Sequence, residues 1–133
     1  MRPNRSTGDR SSLRVAEFFA GIGLMRLGLE RAGHQVIWSN DNDPSKNLMY
    51  KHHFGEGDNV LLDDRDIRDV RGTDLPCVDL ATASFPCTDL SIAGHRAGIQ
   101  GHESGLFWEF TRILREIPKA RRPKRVLLEN VLG

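Results

Sequence analysis

Short apolar runs alternate along this chain with helical patterns, and nearly every run ends in glycine or in polar residues. That alternation constrains the fold more than any other feature, because a strand–helix–strand repeat builds a parallel sheet with its crossover helices on the faces. Arg14 to Phe19 reads as the first strand, and Ala20-Gly21-Ile22-Gly23 as a tight turn into a helix whose apolar positions are Leu24, Met25, Leu27 and Leu29, ended by Gly33. Gln35 to Ser39 is the second strand. Asp43 and Pro44 read as the cap and first turn of a helix that runs to Phe54 and stops at Gly55. Asn59 to Leu62 is a short extended segment, and Val78 to Ala83, bounded by Pro76 and Pro86, is a buried strand. Phe107, Phe110, Ile113, Leu114 and Ile117 share one face of a helix stopped by Pro118, and Arg125 to Leu128 is the last strand. This order predicts a three-layer α/β domain with a mostly parallel sheet.

Open α/β sheets bind their ligands at the carboxyl edge, so residues just past each strand carry the functional expectation. The Gly21-Ile22-Gly23 turn lets backbone approach a ligand closely. Arg26 stands where a nicotinamide-type GxGxxG fingerprint needs its third glycine, so that fingerprint fails. Asp41 follows the glycine turn by about twenty residues, where an acid can accept from ribose hydroxyls; it also sits where a helix cap would, and Asp43 can cap while Asp41 binds. Asp66 is a polar loop candidate beside Ile67. Cys87 follows Pro86, which fixes its own φ and biases Phe85 to an extended conformation. A stiff turn suits a nucleophilic thiolate, whereas a buried structural cysteine is the plainer alternative. Glu129, after the last strand, is an acid or hydrogen-bond partner at the same edge, or a lone exposed carboxylate. Ser91 to Ser104, rich in Gly, His and Ser, lacks periodicity and reads as a long functional loop.

At 133 residues the chain is the size of one domain, with residues 1–12, polar and Arg-rich, as a disordered tail and 13–133 as the domain. A net charge of +1 gives no bulk-charge argument for nucleic acid. Lys119, Arg121, Arg122, Lys124 and Arg125 do cluster in one connection, which is either a solvated loop or a set of phosphate contacts. Cys77 and Cys87 form neither a CxxC pair nor a zinc spacing, so no metal site and a reducing, cytoplasmic setting are expected. No apolar run reaches the roughly 20 residues of a membrane span, and no membrane partner is expected.

Phe19-Ala20-Gly21-Ile22-Gly23, Asn40-Asp41, Phe85-Pro86-Cys87 and Glu129-Asn130-Val131, in this order, resemble the DNA (cytosine-5)-methyltransferase family over nearly all of Arg14 to Gly133. The resemblance implies a truncated sheet of the class I S-adenosylmethionine-dependent methyltransferase type, S-adenosylmethionine as cofactor, and double-stranded DNA with a flipped cytosine as substrate. It implies that Phe19, Gly21 and Gly23 line the cofactor, that Asp41 holds its ribose, that Asp66 and Ile67 flank its adenine, and that Leu106 meets it from the long helix. By the same resemblance Cys87 attacks ring carbon 6 of cytosine, and Glu129 bonds the exocyclic amine and ring nitrogen 3. The chemistry is coherent: carbon 5 is a poor nucleophile until a bond at carbon 6 makes the ring enamine-like, and a proton or strong hydrogen bond at nitrogen 3 eases that step. A stacked base is out of reach, so it must swing out of the duplex.

Two departures stand out. Thr88-Asp89-Leu90-Ser91 replaces the Gln-x-Phe-Ser of many members, and Asn42 stands where an aromatic residue often follows the ribose acid. The family's later arginine motif, target recognition domain and closing helix have no counterpart before Gly133, so 13–133 reads as the N-terminal part of a catalytic domain. Such a part is expected to be inactive without a complementary C-terminal chain, and to leave Val126-Leu127-Leu128 as an exposed edge. A prokaryotic or phage origin fits. Two alternatives stay open: a non-catalytic or degenerate partner-binding module, and a tRNA cytosine-5 methyltransferase built on the DNA-type motifs.

Overall fold

The computed structural model describes residues 11–55, 57–86 and 105–130. Cys87, the Ser91 to Ser104 loop, Val131 and nearly all of the expected tail lie outside the described residues. The elements are β1 (Arg14–Phe18), α1 (Leu24–Arg31), β2 (Gln35–Asn40), α2 (Pro44–Phe54), β3 (Leu61–Asp63), β4 (Leu80–Ala83), α3 (Gly105–Glu116) and β5 (Arg125–Leu128), with short 3-10 turns at Gly72–Asp74 and Lys119–Arg121. No helix among the described residues is long and apolar enough to cross a membrane.

The strands form one sheet in the order β3-β2-β1-β4-β5, and every pairing is parallel. Strand order therefore reverses between β1 and β4, which is the topological switch point where open sheets of this kind part to admit a ligand. Successive strand residues face opposite layers. Ala16, Phe18, Trp38, Ala81 and Ala83 meet Phe110, Ile113 and Ile117 of the α3 segment in the larger core cluster. Val15, Val36 and Leu80 face the other way, against Leu29 of α1. A β-bulge between Val15 and Ala16 shifts the register with β2, so that Ala16 pairs with Trp38 rather than Ile37. The three-layer arrangement follows directly from these opposed faces.

Phe18 anchors the larger core. Its ring lies 4.8 Å from that of Trp38 and 4.9 Å, edge-on, from that of Phe110. The apolar stripe of α3 is thus core, as its spacing predicts. α1 departs from expectation: Leu24 is 70% exposed, and the side chain this helix buries is Arg26. α2 begins as expected, with the Asp43 carboxylate accepting from the N–H groups of Ser45 (2.9 Å) and Lys46 (3.2 Å). β3 starts later than its sequence suggests, because pairing with Trp38, Ser39 and Asn40 selects Leu61–Asp63. β5 is exposed along its whole length, with Val126, Leu127 and Leu128 at 48%, 43% and 47%. Among the described residues its outer edge has no strand beside it. In the basic connection, Arg121 donates to the Leu75 carbonyl and Arg122 to those of Ile117 and Arg115, so these two guanidinium groups fasten the end of α3.

Candidate functional site

The chain leaves β1 through Phe19, a non-glycine residue at φ +55°. That left-handed conformation is strained for a side chain of this size. It is held by a hydrogen bond from the Ala20 N–H to the Asn40 carbonyl (2.9 Å), which sets the turn against the end of β2. Gly21 follows at φ +56° with nothing within 4 Å of where a Cβ would stand, so its backbone faces open space. Gly23, at φ +90°, caps α1. A Cβ there would collide with the Phe54 ring, so Gly23 is needed for close packing of the turn on α2.

Asp41 joins these parts. One carboxylate oxygen accepts the Gly21 N–H at 2.8 Å and the other accepts the Asp43 N–H at 2.9 Å. Its carbonyl accepts from Asn47 at 2.6 Å. The residue is buried, and it clamps the glycine turn to the start of α2. Asn40 secures the next loop by donating to the carbonyls of Asp63 and Arg65, both at 2.9 Å. Asp66, in that loop, accepts the Arg68 N–H (2.9 Å), pairs with its guanidinium (3.0 Å) and accepts from Asn42 (3.3 Å). Asn42, where the family often has an aromatic ring, thus makes a polar bridge to Asp66. From the far face, Arg112 of α3 donates to the carbonyls of Ile67 (3.1 Å) and Val70 (3.0 Å), while Glu109 and Glu116 hold its guanidinium at 2.6 Å. Glu116 in turn accepts the Gly72 N–H at 2.8 Å.

Two cavities open at this carboxyl edge. The first, about 530 Å³, is lined among others by Phe19, Gly21, Asp41, Asp66, Ile67 and Leu106. Its size falls within the roughly 300–1,000 Å³ usual for small-ligand pockets. The second, about 630 Å³, is lined by Glu129 with Glu17, Phe19, Gly21, Lys46 and Ser84. The expected cofactor residues thus converge on the first cavity, except Gly23, which serves the turn from behind. Glu129 stands apart from them in the second cavity, at the end of β5, its N–H bonded to the Ala83 carbonyl at 3.0 Å. Pro86 reaches the first cavity, and Phe85 packs its ring near Phe19 (6.5 Å) and Phe107 (5.5 Å). Cys77 is exposed ahead of β4, away from this edge.

Sequence reasoning missed a buried polar network beneath the turn. Glu17 accepts the Arg26 N–H at 3.1 Å and the Ser39 hydroxyl at 3.3 Å. Ser39 and the Tyr50 hydroxyl lie 2.7 Å apart. The Arg26 guanidinium donates to Tyr50 (3.1 Å), Glu30 (2.8 Å) and, in bidentate fashion, Asp58 (2.6 and 2.7 Å), and lies 3.7 Å from the Phe54 ring centroid. Burial pushes the Glu17 carboxyl up to about 7, against the hydrogen bonds from Arg26 and Ser39. Hydrogen bonds from Arg26 hold Asp58 below the usual carboxylate range. One signal was present: a carboxylate between Ala16 and Phe18 inside an apolar strand has to be paired or neutral.

A family model described as C-5 cytosine-specific DNA methylase matches residues 13–133. The Type II methyltransferase M.Bsp6I of Bacillus sp. (strain RFL6) is 37% identical over 90% of this chain and 36% of its own length. The Type II methyltransferase M.HhaI of Haemophilus parahaemolyticus is 36% identical over 91% and 34%. The chain therefore spans about a third of the length of the curated relatives it matches. Among solved structures, the S. pombe Dnmt2 methyltransferase superposes with a TM-score of 0.67 at 27% identity, over 91% of this chain and 37% of that one. A putative DNA modification methyltransferase encoded within an E. coli prophage gives 0.70 at 22% identity, over 92% and 33%, a likeness of fold.

Proposed function

The chain belongs to the C-5 cytosine-specific DNA methylase family, and on that premise we propose that it forms the cofactor-binding and nucleophile-bearing part of an enzyme that transfers a methyl group from S-adenosylmethionine to carbon 5 of cytosine in DNA. The observation that carries this reading is the convergence of Phe19, Gly21, Asp41, Asp66, Ile67 and Leu106 on one cavity at the switch point of a class I methyltransferase sheet.

The fit to the family's cofactor, S-adenosylmethionine, rests on the cavity itself. The open face of Gly21 admits a ligand against the backbone. Asp41 offers carboxylate oxygens at the ribose position, Asp66 and Ile67 take the adenine end, and Leu106 closes the apolar side. When bound, the cofactor supplies an electrophilic methyl group on a sulfonium. The protein's own residues prepare the acceptor. The Cys87 thiolate adds to carbon 6 of a cytosine turned out of the duplex, carbon 5 takes the methyl group, and loss of the carbon 5 proton to solvent then expels the thiolate and restores the ring. Glu129 presents its carboxyl group to nitrogen 3 and the exocyclic amine, stabilising the charge that addition creates. The two cavities at the carboxyl edge share Phe19, Gly21, Lys46 and Ser84, which supports a reading in which cofactor and base meet at that edge.

The exposed apolar strand β5 supports a further part of the proposal: the edge at Val126, Leu127 and Leu128 is covered by a complementary C-terminal polypeptide of the family. The chain by itself is then inactive in methyl transfer. The test joins residues 1–133 to the C-terminal part of a family relative and measures transfer of labelled methyl groups to duplex DNA, together with covalent trapping on DNA carrying 5-fluorocytosine. Cytosine-specific labelling and a trapped adduct are expected from the joined protein. A folded, cofactor-binding fusion with neither would overturn the reading.

A further inference from the structure

The two cavities share a seam lined by Phe19, Gly21, Lys46 and Ser84. Lys46 is the cation in that seam. It lies in the first turn of α2, where its N–H is bonded to the Asp43 capping carboxylate, so its backbone is fixed while its side chain is exposed. Among the described residues, no hydrogen bond or ion pair involves its ammonium group. The first cavity's other cation, Arg68, is committed to Asp66 at the opposite end.

We infer that Lys46 binds the carboxylate of the cofactor's amino-acid group. The inference rests on the cofactor reading above, which sets the nucleoside between Asp41 and Ile67 and directs the rest of the molecule toward Glu129. The amino-acid end then lies along the seam, and its carboxylate needs a cationic donor. A charge-assisted contact from an ammonium group satisfies it. The acids around it, Asp41 and Asp43 in the first cavity and Glu129 in the second, repel that carboxylate, which makes an unpaired cation among them the more telling. A DNA phosphate is the other anion Lys46 could meet. The carboxylate is favoured because Lys46 lines both cavities, where the proposed nucleoside site and Glu129 meet.

Calorimetry on the 133-residue chain tests this with two probes that share the nucleoside and sulfur: S-adenosylhomocysteine, which keeps the amino-acid group, and 5′-methylthioadenosine, which lacks it. Lys46→Gln is expected to weaken S-adenosylhomocysteine by about tenfold, the loss of one charge-assisted hydrogen bond. It should leave methylthioadenosine unchanged, and Lys46→Arg should restore most of the loss. Equal weakening of both probes would mean that Lys46 acts through the packing of α2, and would overturn the assignment. So would an effect confined to duplex DNA binding, which assigns the side chain to a phosphate. Failure of the unmodified chain to bind either probe would instead sink the cofactor reading, and this assignment with it.

Discussion

The two flanks of β1 are built differently. On the β2–β3 side, the sheet is covered by α1 and α2, and the covering is stitched by Glu17, Arg26, Ser39, Tyr50 and Asp58, each hydrogen-bonded to another. On the β4–β5 side, the last strand exposes its apolar side chains, and its outer edge has no strand beside it among the described residues. Gly21, Asp41, Asp66 and Ile67 of the first cavity hang from the closed flank; Ser84, Pro86 and Glu129 hang from the open one. The difference teaches that the walls of the first cavity are fixed by groups within this stretch of chain, whereas the flank that carries Glu129 ends in an uncovered strand; under the proposed function these are the cofactor side and the base side.

The sharpest way to separate the flanks is Cys87→Ser in the joined protein. Methyl transfer should fall to background, a loss on the order of 10⁴-fold or more if Cys87 is the nucleophile, while binding of S-adenosylhomocysteine stays intact. Cys77→Ser should change neither. Equal loss of transfer in both variants would show that the open flank carries no special thiol.

Phe110→Ala tests the α3 layer that both flanks share. The ring is buried against Phe18, and its removal should lower unfolding stability by roughly 3–5 kcal/mol. Denaturant melts would show this, and a loss under about 1 kcal/mol would mean that α3 is not the lid of that core.

A smaller effect probes the closed flank through pH. Glu17 is 1% exposed, and burial lifts its carboxyl from 4.5 to about 7. The unfolded chain keeps the ordinary value. As pH rises from 4.5 through 7, the unfolded state releases this proton and the native state holds it, so stability falls by about 3 kcal/mol over that window. Glu17→Gln cannot ionise, and its amide oxygen can still accept the Arg26 N–H. Its melting temperature should therefore fall less between pH 5 and pH 8 than that of the parent chain, in steps on the order of those expected for this stability change. Parallel pH profiles would remove Glu17 as the cause.

The smallest expected change is Asp41→Ala, which removes the acceptor for Gly21 and the proposed ribose contact together. Calorimetry should show S-adenosylhomocysteine bound roughly 1–3 kcal/mol more weakly. Affinity unaffected by the change would refute the ribose role while leaving the clamp on Gly21 to be judged by stability.

Much of this was legible without coordinates. The alternation of apolar runs and helical stripes dictated a parallel α/β sheet, and turn chemistry placed the Asp43-Pro44 start of α2 and the glycine turn after β1. These signals are local: a cap, a proline or a period of apolar residues acts within a few positions of itself. The residues at strand ends could likewise be named, because every strand of a parallel sheet delivers its carboxyl end to one edge. What only the tertiary structure decided involves residues far apart in the chain. Arg26 read as a missing glycine, yet in the fold it is the hub that joins Glu30, Tyr50 and Asp58. Asp41 read as a ribose acceptor or a cap, and the fold adds a clamp on the Gly21 N–H that neither reading contained. The resemblance implied that Gly23 lines the cofactor, and the fold adds a packing reason for the glycine, the Phe54 ring against it. Lys46 carried no signal at all until α2 was laid beside β1. Which strands lie together, and in what register, is settled by burial summed over the whole sheet, and no local pattern contains that sum.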